Sequence, residues 1–177
     1  MYGNPVNLLI SWMKVIFLTA LIVVATRQFL FEPVAVHGHS MMPTIEENDK
    51  VILTKISSVT NFDLIVFVAP NGKNLIKRVI GTPGDRVKME NDQLFLNGEP
   101  VEEPYLKENI KLAKQKGYLR LTEDFPEFKV PSGSYYVLGD NRLNSVDSRV
   151  FGYILETSVV GEAKFRIAPT KHFGVIY

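Results

Sequence analysis

The sequence predicts a mainly β protein in which a single N-terminal transmembrane helix is followed by an antiparallel β-sheet domain. Two observations predict this fold class. The first is one long apolar stretch over residues 8–26. The second is the change after residue 27, where short apolar runs alternate with Gly, Pro, Asn and Asp, a pattern typical of strands joined by tight turns. We therefore predict a membrane anchor over residues 1–30 and a β-rich domain over residues 31–177.

The apolar stretch LLISWMKVIFLTALIVVAT is long enough to cross a bilayer as a helix. Its 19 residues would rise roughly 28 Å, about the thickness of the hydrocarbon layer. Its one charge, Lys14, lies near one end beside Trp12, where a lysine can reach the headgroups and an indole favours the interface. A cleaved signal peptide and a buried core helix are the alternatives, and the lack of a basic segment in MYGNPVN disfavours the first. With Lys14 at one end and Arg27 at the other, charge leaves the orientation open.

Seven apolar runs in the rest of the chain are candidate strands, because each is short and bounded by turn-forming residues. The turn signals are Asn71-Gly72, Pro83-Gly84-Asp85, Asn91-Asp92 and Asn97-Gly98. The candidate strands are residues 51–56, 63–69, 74–80, 85–90, 94–98, 134–140 and 159–167.

One stretch departs from the strand pattern. Residues 102–130 are highly charged with weak periodicity. They predict an insertion outside the sheet, either a small subdomain or a mobile loop.

Composition excludes several classes of function. With 20 Lys and Arg against 19 Asp and Glu, the net charge of +1 gives no electrostatic basis for nucleic acid as a partner. The absence of cysteine excludes thiol nucleophiles, thiolate metal sites and disulfides. The segment that begins at Asp140 lacks the glycine and glutamate of a calcium loop, and no H-E-x-x-H is present. We therefore expect no metal and no cofactor; the oligomeric state is not predicted.

The segment HGHSMMPT, residues 37–44, contains a candidate nucleophile, Ser40. It is not the elbow of an α/β-hydrolase, because the second glycine of G-x-S-x-G is missing. If the segment is extended, His37 and His39 point away from the face that carries the serine hydroxyl. His172, near the C-terminus, stays open as a base.

A second candidate lies in NLIKRVI, where Lys77 and Arg78 are neighbours. In a strand they point to opposite faces, so one cation must enter apolar surroundings. Lysine can respond, because desolvation lowers its pKa, whereas arginine stays charged. To act as a base near neutrality, its pKa must fall from about 10.4 by roughly 3 units, which corresponds to about 4 kcal/mol. The alternative is an edge strand from which both cations reach water.

Three segments, in order behind the hydrophobic N-terminus, resemble the signature segments of bacterial type I signal peptidases. They are SMMPT at 40–44, KRVIGTPGD at 77–85 and GDNRLNSVDSR at 139–149. The resemblance runs from about residue 31 to residue 166 and implies a β domain of the signal peptidase and LexA-like type. It implies that Ser40 is the acylating nucleophile and that Lys77 is its general base.

The third segment supplies supporting residues under the same resemblance. Ser145 is expected to orient the lysine, and Asp147 and Arg149 to form an ion pair beside it. Arg78 is expected to pair with Asp140.

The resemblance also has departures. The backbone N–H of Ser40 is the first expected oxyanion donor. The second is less defined, because some family members carry a serine where this chain has Gly38, which offers only its amide. Family members often have glycine where this chain has Asn48 and Phe62. Asparagine tolerates a left-handed turn but phenylalanine does not readily, so the turn before Asp63 is the doubtful one.

The implied function is removal of signal peptides from exported preproteins by a membrane-anchored serine endopeptidase that cuts after small residues. The expected partners are preprotein signal peptides and the lipid bilayer, with the catalytic domain on the extracytoplasmic side of the cell membrane. The cleavage region would bind as an added strand between the strand ending at Ser40 and the strand ending at Lys77. Val34, Val36 and Ile76 are the expected walls of its side-chain pockets.

The sequence is also compatible with two alternative functions. A LexA-like Ser-Lys protease that processes itself shares the dyad and a related fold, but it lacks the membrane span and the third segment. An inactive module that only binds signal peptides is disfavoured by the intact Ser40 and Lys77.

Overall fold

The computed structural model describes residues 5–29, 31–55 and 58–176. The N-terminal helix, α1, spans Pro5–Phe29. Its window Val6–Val24 is long and apolar enough to cross a membrane, and none of it is buried against the rest of the protein. The alternative of a buried core helix is therefore wrong.

The remainder is mainly β, as the sequence predicts, and its strands are short. In chain order they are β1 Phe31–Ala35, β2 Lys50–Thr54, β3 Leu64–Val68, β4 Asn74–Gly81, β5 Arg86–Glu90, β6 Gln93–Leu96, β7 Glu99–Val101, β8 Phe125–Lys129, β9 Ser134–Leu138, β10 Ile154–Leu155, β11 Val159–Ala168 and β12 Gly174–Val175. All seven candidate strands are present. Of the other five described strands, β1 lies in the segment where a strand is expected to end at Ser40, and β7, β8, β10 and β12 have no counterpart among the candidates.

The strands form two antiparallel sheets. The main sheet has the order β1-β2-β11-β3-β4-β9-β10, with β12 paired to β11. The small sheet has the order β7-β6-β5-β8. Its two hairpins turn at Asn91-Asp92 and Asn97-Gly98, where all four residues have positive φ, between 53° and 88°. Two consecutive left-handed residues define a type I′ turn, which matches the twist of the flanking strands.

The main sheet is buried on both faces in its centre, which explains why β3 reads as an unbroken apolar run. Along β3, Leu64 and Val66 enter one core cluster, whereas Ile65 and Phe67 enter another. Strand β4 lies between β3 and β9, so the side chains of β4 have little access to water.

The charged stretch at 102–130 has regular structure. A 3-10 turn at Pro104–Leu106 leads into the helix α2, Lys107–Gln115. Residues Leu106, Ala113 and Leu121 form a small buried cluster, and strand β8 at the end of the stretch pairs with β5. A short helix, α3, at Ser148–Phe151 follows β9.

Candidate active site

Ser40 lies in a turn that begins after β1 ends at Ala35. The expectation that a strand continues to Ser40 is wrong, because Gly38 has φ +93° and turns the chain out of the extended conformation. Asn141 holds the turn from the other side: its backbone N–H donates to the Ser40 carbonyl at 2.9 Å, and its side chain donates to the His39 carbonyl at 3.0 Å.

Lys77 lies in the middle of β4, not at its end as expected, and its side chain meets Ser40. Its Nζ is 2.6 Å from Ser40 Oγ and donates to the Ile76 carbonyl at 3.1 Å. Only 2% of the residue is exposed. The alternative of an edge strand with both cations in water is therefore wrong. His172, the other candidate base, lies beside Asp49 instead, with Nδ1 3.6 Å from its carboxylate.

Burial controls the charge on Lys77. Removing the ammonium from water lowers the pKa of Lys77 from 10.5 to about 8, against the charges of Asp147 and Asp140, which raise it. Within the part of the chain that the structure describes, Lys77 forms no ion pair. A neutral amine in contact with a serine hydroxyl is therefore accessible close to neutral pH.

Arg78, the neighbour of Lys77, is neutralised by a buried carboxylate. Its Nε and Nη2 donate to the two oxygens of Asp140 at 2.9 and 2.6 Å, a bidentate geometry that favours arginine over lysine. Thr44 donates to the same carboxylate at 2.6 Å. Tyr105 covers the guanidinium with its ring, 3.9 Å from Cζ to the centroid. The structure thus brings together the predicted pair of Arg78 and Asp140 and connects it to the turn that follows Ser40.

Asp147 and Arg149 are also in contact. Arg149 Nε and Nη2 each lie 2.8 Å from a carboxylate oxygen of Asp147, and the Gly139 N–H donates to Asp147 at 3.0 Å. Burial alone would raise the pKa of Asp147, but the Arg149 guanidinium and the Gly139 amide hold it below its usual value. The carboxylate is therefore charged near neutral pH and fixes the backbone at Gly139.

Ser145 lies in the same site but does not make the expected hydrogen bond to Lys77. Its Oγ is buried and has no hydrogen-bonding partner among the described residues, although it is close enough to Asp147 to help lower the pKa of that carboxyl. A Cβ at Gly139 would lie 2.2 Å from Ser145 Oγ and 2.5 Å from the Ser40 carbonyl oxygen. The Ser145 side chain and the Ser40 backbone thus both lie close to the α-carbon of Gly139, and they leave no room for a side chain there.

The two expected oxyanion donors both lie in the turn around the nucleophile. The backbone N–H groups of Ser40 and Gly38 donate to no residue that the structure describes. No atom lies within 4 Å of the position that a Cβ at Gly38 would occupy.

The three expected pocket residues lie mainly in the core. Val36 and Ile76 are 5% and 7% exposed and belong to one hydrophobic cluster, against which the partly buried Val34 packs. A cavity of about 500 Å³ is lined instead by residues such as Phe62 and Glu162. It does not include Ser40 or Lys77.

Phe62 adopts the left-handed conformation that its residue type disfavours. Its φ is 72°, and Asn48, for which a left-handed turn is expected, has φ 68°. This costs Phe62 about 1–2 kcal/mol. The backbone N–H of Phe62 donates to the Val79 carbonyl at 2.7 Å and its carbonyl accepts from Arg78 at 2.9 Å. The turn is therefore held from both sides.

Two further residues, Asn109 and Arg142, support the site and are not predicted from the sequence. The Asn109 amide, from α2, donates to the carbonyls of Met42 at 2.9 Å and Asp140 at 2.7 Å. Arg142 is buried and forms an ion pair with Glu103. Both contacts join the charged stretch to the active-site turns, and neither has a local sequence signal.

The chain matches the family described as signal peptidase, peptidase S26, over residues 9–168. It is 43% identical over 164 residues to a signal peptidase I of Bacillus amyloliquefaciens, covering 90% of this chain and 88% of the relative. It is 41% identical over 165 residues to signal peptidase I S of Bacillus subtilis strain 168, covering 91% and 90%. A crystal structure of a signal peptidase I from Enterococcus faecalis V583 superposes with a TM-score of 0.56 at 36% identity, covering 61% of this chain and 98% of that chain.

The fold and the matches define the class of this protein: it is a protease. The chain belongs to the signal peptidase family, peptidase S26. The resemblance inferred from the three sequence segments is thereby confirmed, and the LexA-like alternative has no support among these relatives.

Proposed function

We propose that the chain is a membrane-anchored serine endopeptidase that removes signal peptides from exported preproteins, with Ser40 as nucleophile and Lys77 as general base. The single observation that carries the catalytic assignment is the 2.6 Å contact between Lys77 Nζ and Ser40 Oγ inside a buried site. Family membership supplies the reaction and the substrate.

The site supports an acyl-enzyme mechanism. Neutral Lys77 takes the Ser40 proton while Oγ attacks the scissile carbonyl, and the resulting oxyanion accepts hydrogen bonds from the backbone N–H groups of Ser40 and Gly38. The lysine then gives that proton to the leaving amine, which departs as the mature N-terminus. Lys77 next takes a proton from water, whose oxygen attacks the acyl carbonyl, and returns the proton to Oγ as the signal peptide leaves.

The supporting residues suit a lysine base. A carboxylate in direct contact would raise the pKa of Lys77 and weaken the base, whereas the neutral hydroxyl of Ser145 can orient the amine at little electrostatic cost. The protonated Lys77 amine has three N–H donors, and Ser40 Oγ and the Ile76 carbonyl accept two of them. In this proposal the Ser145 hydroxyl turns towards Lys77 and accepts the third. The ion pairs of Asp147 with Arg149 and of Asp140 with Arg78 fix the backbone around the site.

Substrate binding by strand addition fits the position of β1. It is the edge strand of the main sheet, and its outer side pairs with no strand that the structure describes. An extended cleavage region would pair there and bring a small side chain against Val34, Val36 and Ile76. Replacing Val36 with Ala should let the enzyme accept larger residues before the cut; unchanged tolerance would count against this pocket.

The anchor places the site at the membrane. One apolar N-terminal helix and the family indicate a membrane-anchored protein, and we propose a single span with the catalytic domain outside the cytoplasm. Protease added to sealed vesicles of known orientation tests this. A catalytic domain on the cytoplasmic side would exclude the proposed processing of exported preproteins.

The decisive experiment is cleavage of a model preprotein by the purified full chain in detergent. We expect wild type to cut after a small residue, and Ser40→Ala and Lys77→Ala to be folded and inactive. Lys73→Ala is the matched control, because Lys73 is an exposed lysine next to the same strand. Near-normal activity of Lys77→Ala would place the base elsewhere, with His172 next to be tested. An inert wild type would favour the binding module.

A further inference from the structure

A cavity of about 330 Å³ lies directly beside the active-site turn. It is enclosed by three parts of the chain: the residues after Ser40, the residues after Asp140, and the helix α2 with the loop that follows it. Its lining includes Met42, Pro43, Asn109, Lys116, Tyr118 and Leu143.

The cavity is built into the site by α2. Asn109 donates to the carbonyls of both Met42 and Asp140, so the helix is fixed to the two segments that carry the catalytic turn. On the rim, Leu112, Leu143 and Tyr118 are 48%, 44% and 52% exposed. These side chains have an apolar surface that no part of the described chain covers.

We propose that this cavity is a specificity pocket for the mature part of the preprotein and that it receives the second or third residue after the cut. The inference rests on the proposed function and deepens it. Residues before the cut are assigned to the side of Ser40 where Val36 and Ile76 lie. In this proposal the peptide crosses the Ser40 hydroxyl from that side and continues towards Met42, which lines the cavity.

The dimensions fit this assignment. Met42 is two residues from Ser40, and each residue spans at most about 3.8 Å between α-carbons. An extended peptide advances about 3.3 Å per residue, so its second and third residues after the cut lie roughly 7 to 10 Å beyond the scissile bond. Met42 and Pro43, the second and third residues after Ser40, line the cavity, and its volume is at the lower end for ligand pockets, about 300–1,000 Å³.

The lining sets the preferred chemistry. Lys116 is the one lining residue with a formal charge, and the other polar lining groups are amides and a phenol. The pocket therefore favours an acidic or apolar side chain over a basic one. The exposed position of Lys116 limits the electrostatic preference to roughly two- to five-fold in kcat/KM.

The test uses the full chain in detergent and preproteins that differ only at the second or third position after the cut, with Glu or Lys there. Wild type should cut the Glu substrate roughly two- to five-fold better than the Lys substrate. Lys116→Glu should reverse the ratio. Lys111→Glu carries the same charge change on an exposed face of α2 outside the cavity and should leave both the activity and the ratio unchanged.

The outcomes separate the two proposals. A general loss of folding or activity in a variant lowers kcat/KM equally for both substrates, so it does not change the ratio of the two values. If the preproteins are cut and Lys116→Glu gives the same ratio as Lys111→Glu at both positions, the pocket assignment is wrong while the proposed function stands. If wild type cuts none of them, the proposed function fails, and the pocket assignment fails with it.

Discussion

Lys77 and Arg78 are consecutive residues of β4, both almost completely buried at 2% and 1% exposure, yet only the arginine is neutralised by a carboxylate. Arg78 forms the bidentate pair with Asp140, whereas the Lys77 amine contacts a hydroxyl. Because an interior strand sends neighbouring side chains to opposite faces, one dipeptide both anchors the Asp140 turn and supplies a destabilised ammonium. Because only Lys77 lacks a carboxylate partner among the described residues, it is the neighbour whose charge responds to pH near neutrality.

The rate of cleavage should rise with pH through about 8. Lys77 acts as a base only when neutral, and burial lowers its pKa from 10.5 to about 8. Below that pH, kcat/KM should fall about tenfold per pH unit, and above it should level off. The pH profile of kcat/KM for a model preprotein measures this midpoint. A midpoint near 10.5 would mean that the buried site does not perturb the lysine.

Replacing Asp147 with Asn should move that midpoint to lower pH. The Asp147 charge raises the pKa of Lys77, so its removal, with the Arg149 charge left behind, disfavours the ammonium further. The variant should also lose stability, by about 3–5 kcal/mol for a broken buried ion pair. The pH profile at a temperature where the variant is folded separates the two effects. If the midpoint of the pH profile is unchanged or higher in Asp147→Asn, the Asp147 charge does not raise the pKa of Lys77.

Replacing Lys77 with Met should stabilise the fold near neutral pH. The drop in pKa from 10.5 to about 8 corresponds to about 3 kcal/mol. Below pH 8 the lysine is protonated in both the folded and unfolded states, so the folded protein carries the full penalty. As pH rises from 8 to 10.5 the folded lysine is already neutral, the penalty is relieved, and wild type gains stability relative to the variant.

Chemical denaturation of both proteins at pH 7 and pH 10 checks this prediction. The free energy of unfolding of Lys77→Met should exceed that of wild type at pH 7, with a smaller gap at pH 10. Lys114→Met, on an exposed face of α2, is the control and should show no such dependence. A wild type that is more stable than Lys77→Met at pH 7 would show that the ammonium is not penalised.

The sequence predicts those strands that appear as a short apolar run with turn-forming residues at its ends. Seven apolar runs with Asn-Gly and Asn-Asp turns are enough to locate most of both sheets. The missed strands are short or polar: β8, for example, contains a proline and two charged residues, and it is tolerated because it lies at the edge of the small sheet. β1 ends at Ala35 rather than at Ser40, because Gly38, with φ +93°, turns the chain out of the extended conformation.

The site could be predicted only in part, for a similar reason. Ser40 and Lys77 are 37 positions apart, and from the residues alone a buried lysine and an edge-strand lysine were both open. The burial of β4 between β3 and β9 decides between them, and only topology provides that. Asn109 carries no signal at all, because one asparagine in a charged stretch looks like a solvated helix surface.

Gly139→Ala should abolish activity. The added Cβ would lie 2.2 Å from Ser145 Oγ and 2.5 Å from the Ser40 carbonyl oxygen. The first clash can be relieved by a side chain, but the second is with the backbone that positions the nucleophile. Cleavage assays and thermal unfolding of Gly139→Ala and of the double variant with Ser145→Gly check this. Because Ser145 is itself proposed to orient Lys77, the double variant is compared with Ser145→Gly alone. Equal activity of these two variants would show that only the Ser145 side chain, and not the Ser40 backbone, requires glycine at 139.

Asn109→Ala should lower both stability and kcat, and it is the test of whether α2 positions the active site. The Asn109 amide donates hydrogen bonds to two carbonyls, those of Met42 and Asp140. The free energy of unfolding should therefore fall by about 1–3 kcal/mol for each carbonyl that is left buried without a donor. Because those carbonyls belong to the turns that carry Ser40 and pair with Arg78, we expect a fall in kcat larger than any change in KM.

A positioning role and a purely structural role for Asn109 predict different results. The pH midpoint should stay near that of wild type, because Asn109 is neutral and is neither a hydrogen-bonding partner of Lys77 nor one of the charges that shift its pKa. Glu108→Ala, an exposed neighbour on the same helix, is the control and should match wild type in both assays. A variant with a lower melting temperature but wild-type kcat at a temperature where it is folded would mean that Asn109 only attaches the helix. A lower kcat under the same conditions would mean that the helix outside the main sheet holds the nucleophile in register with its base.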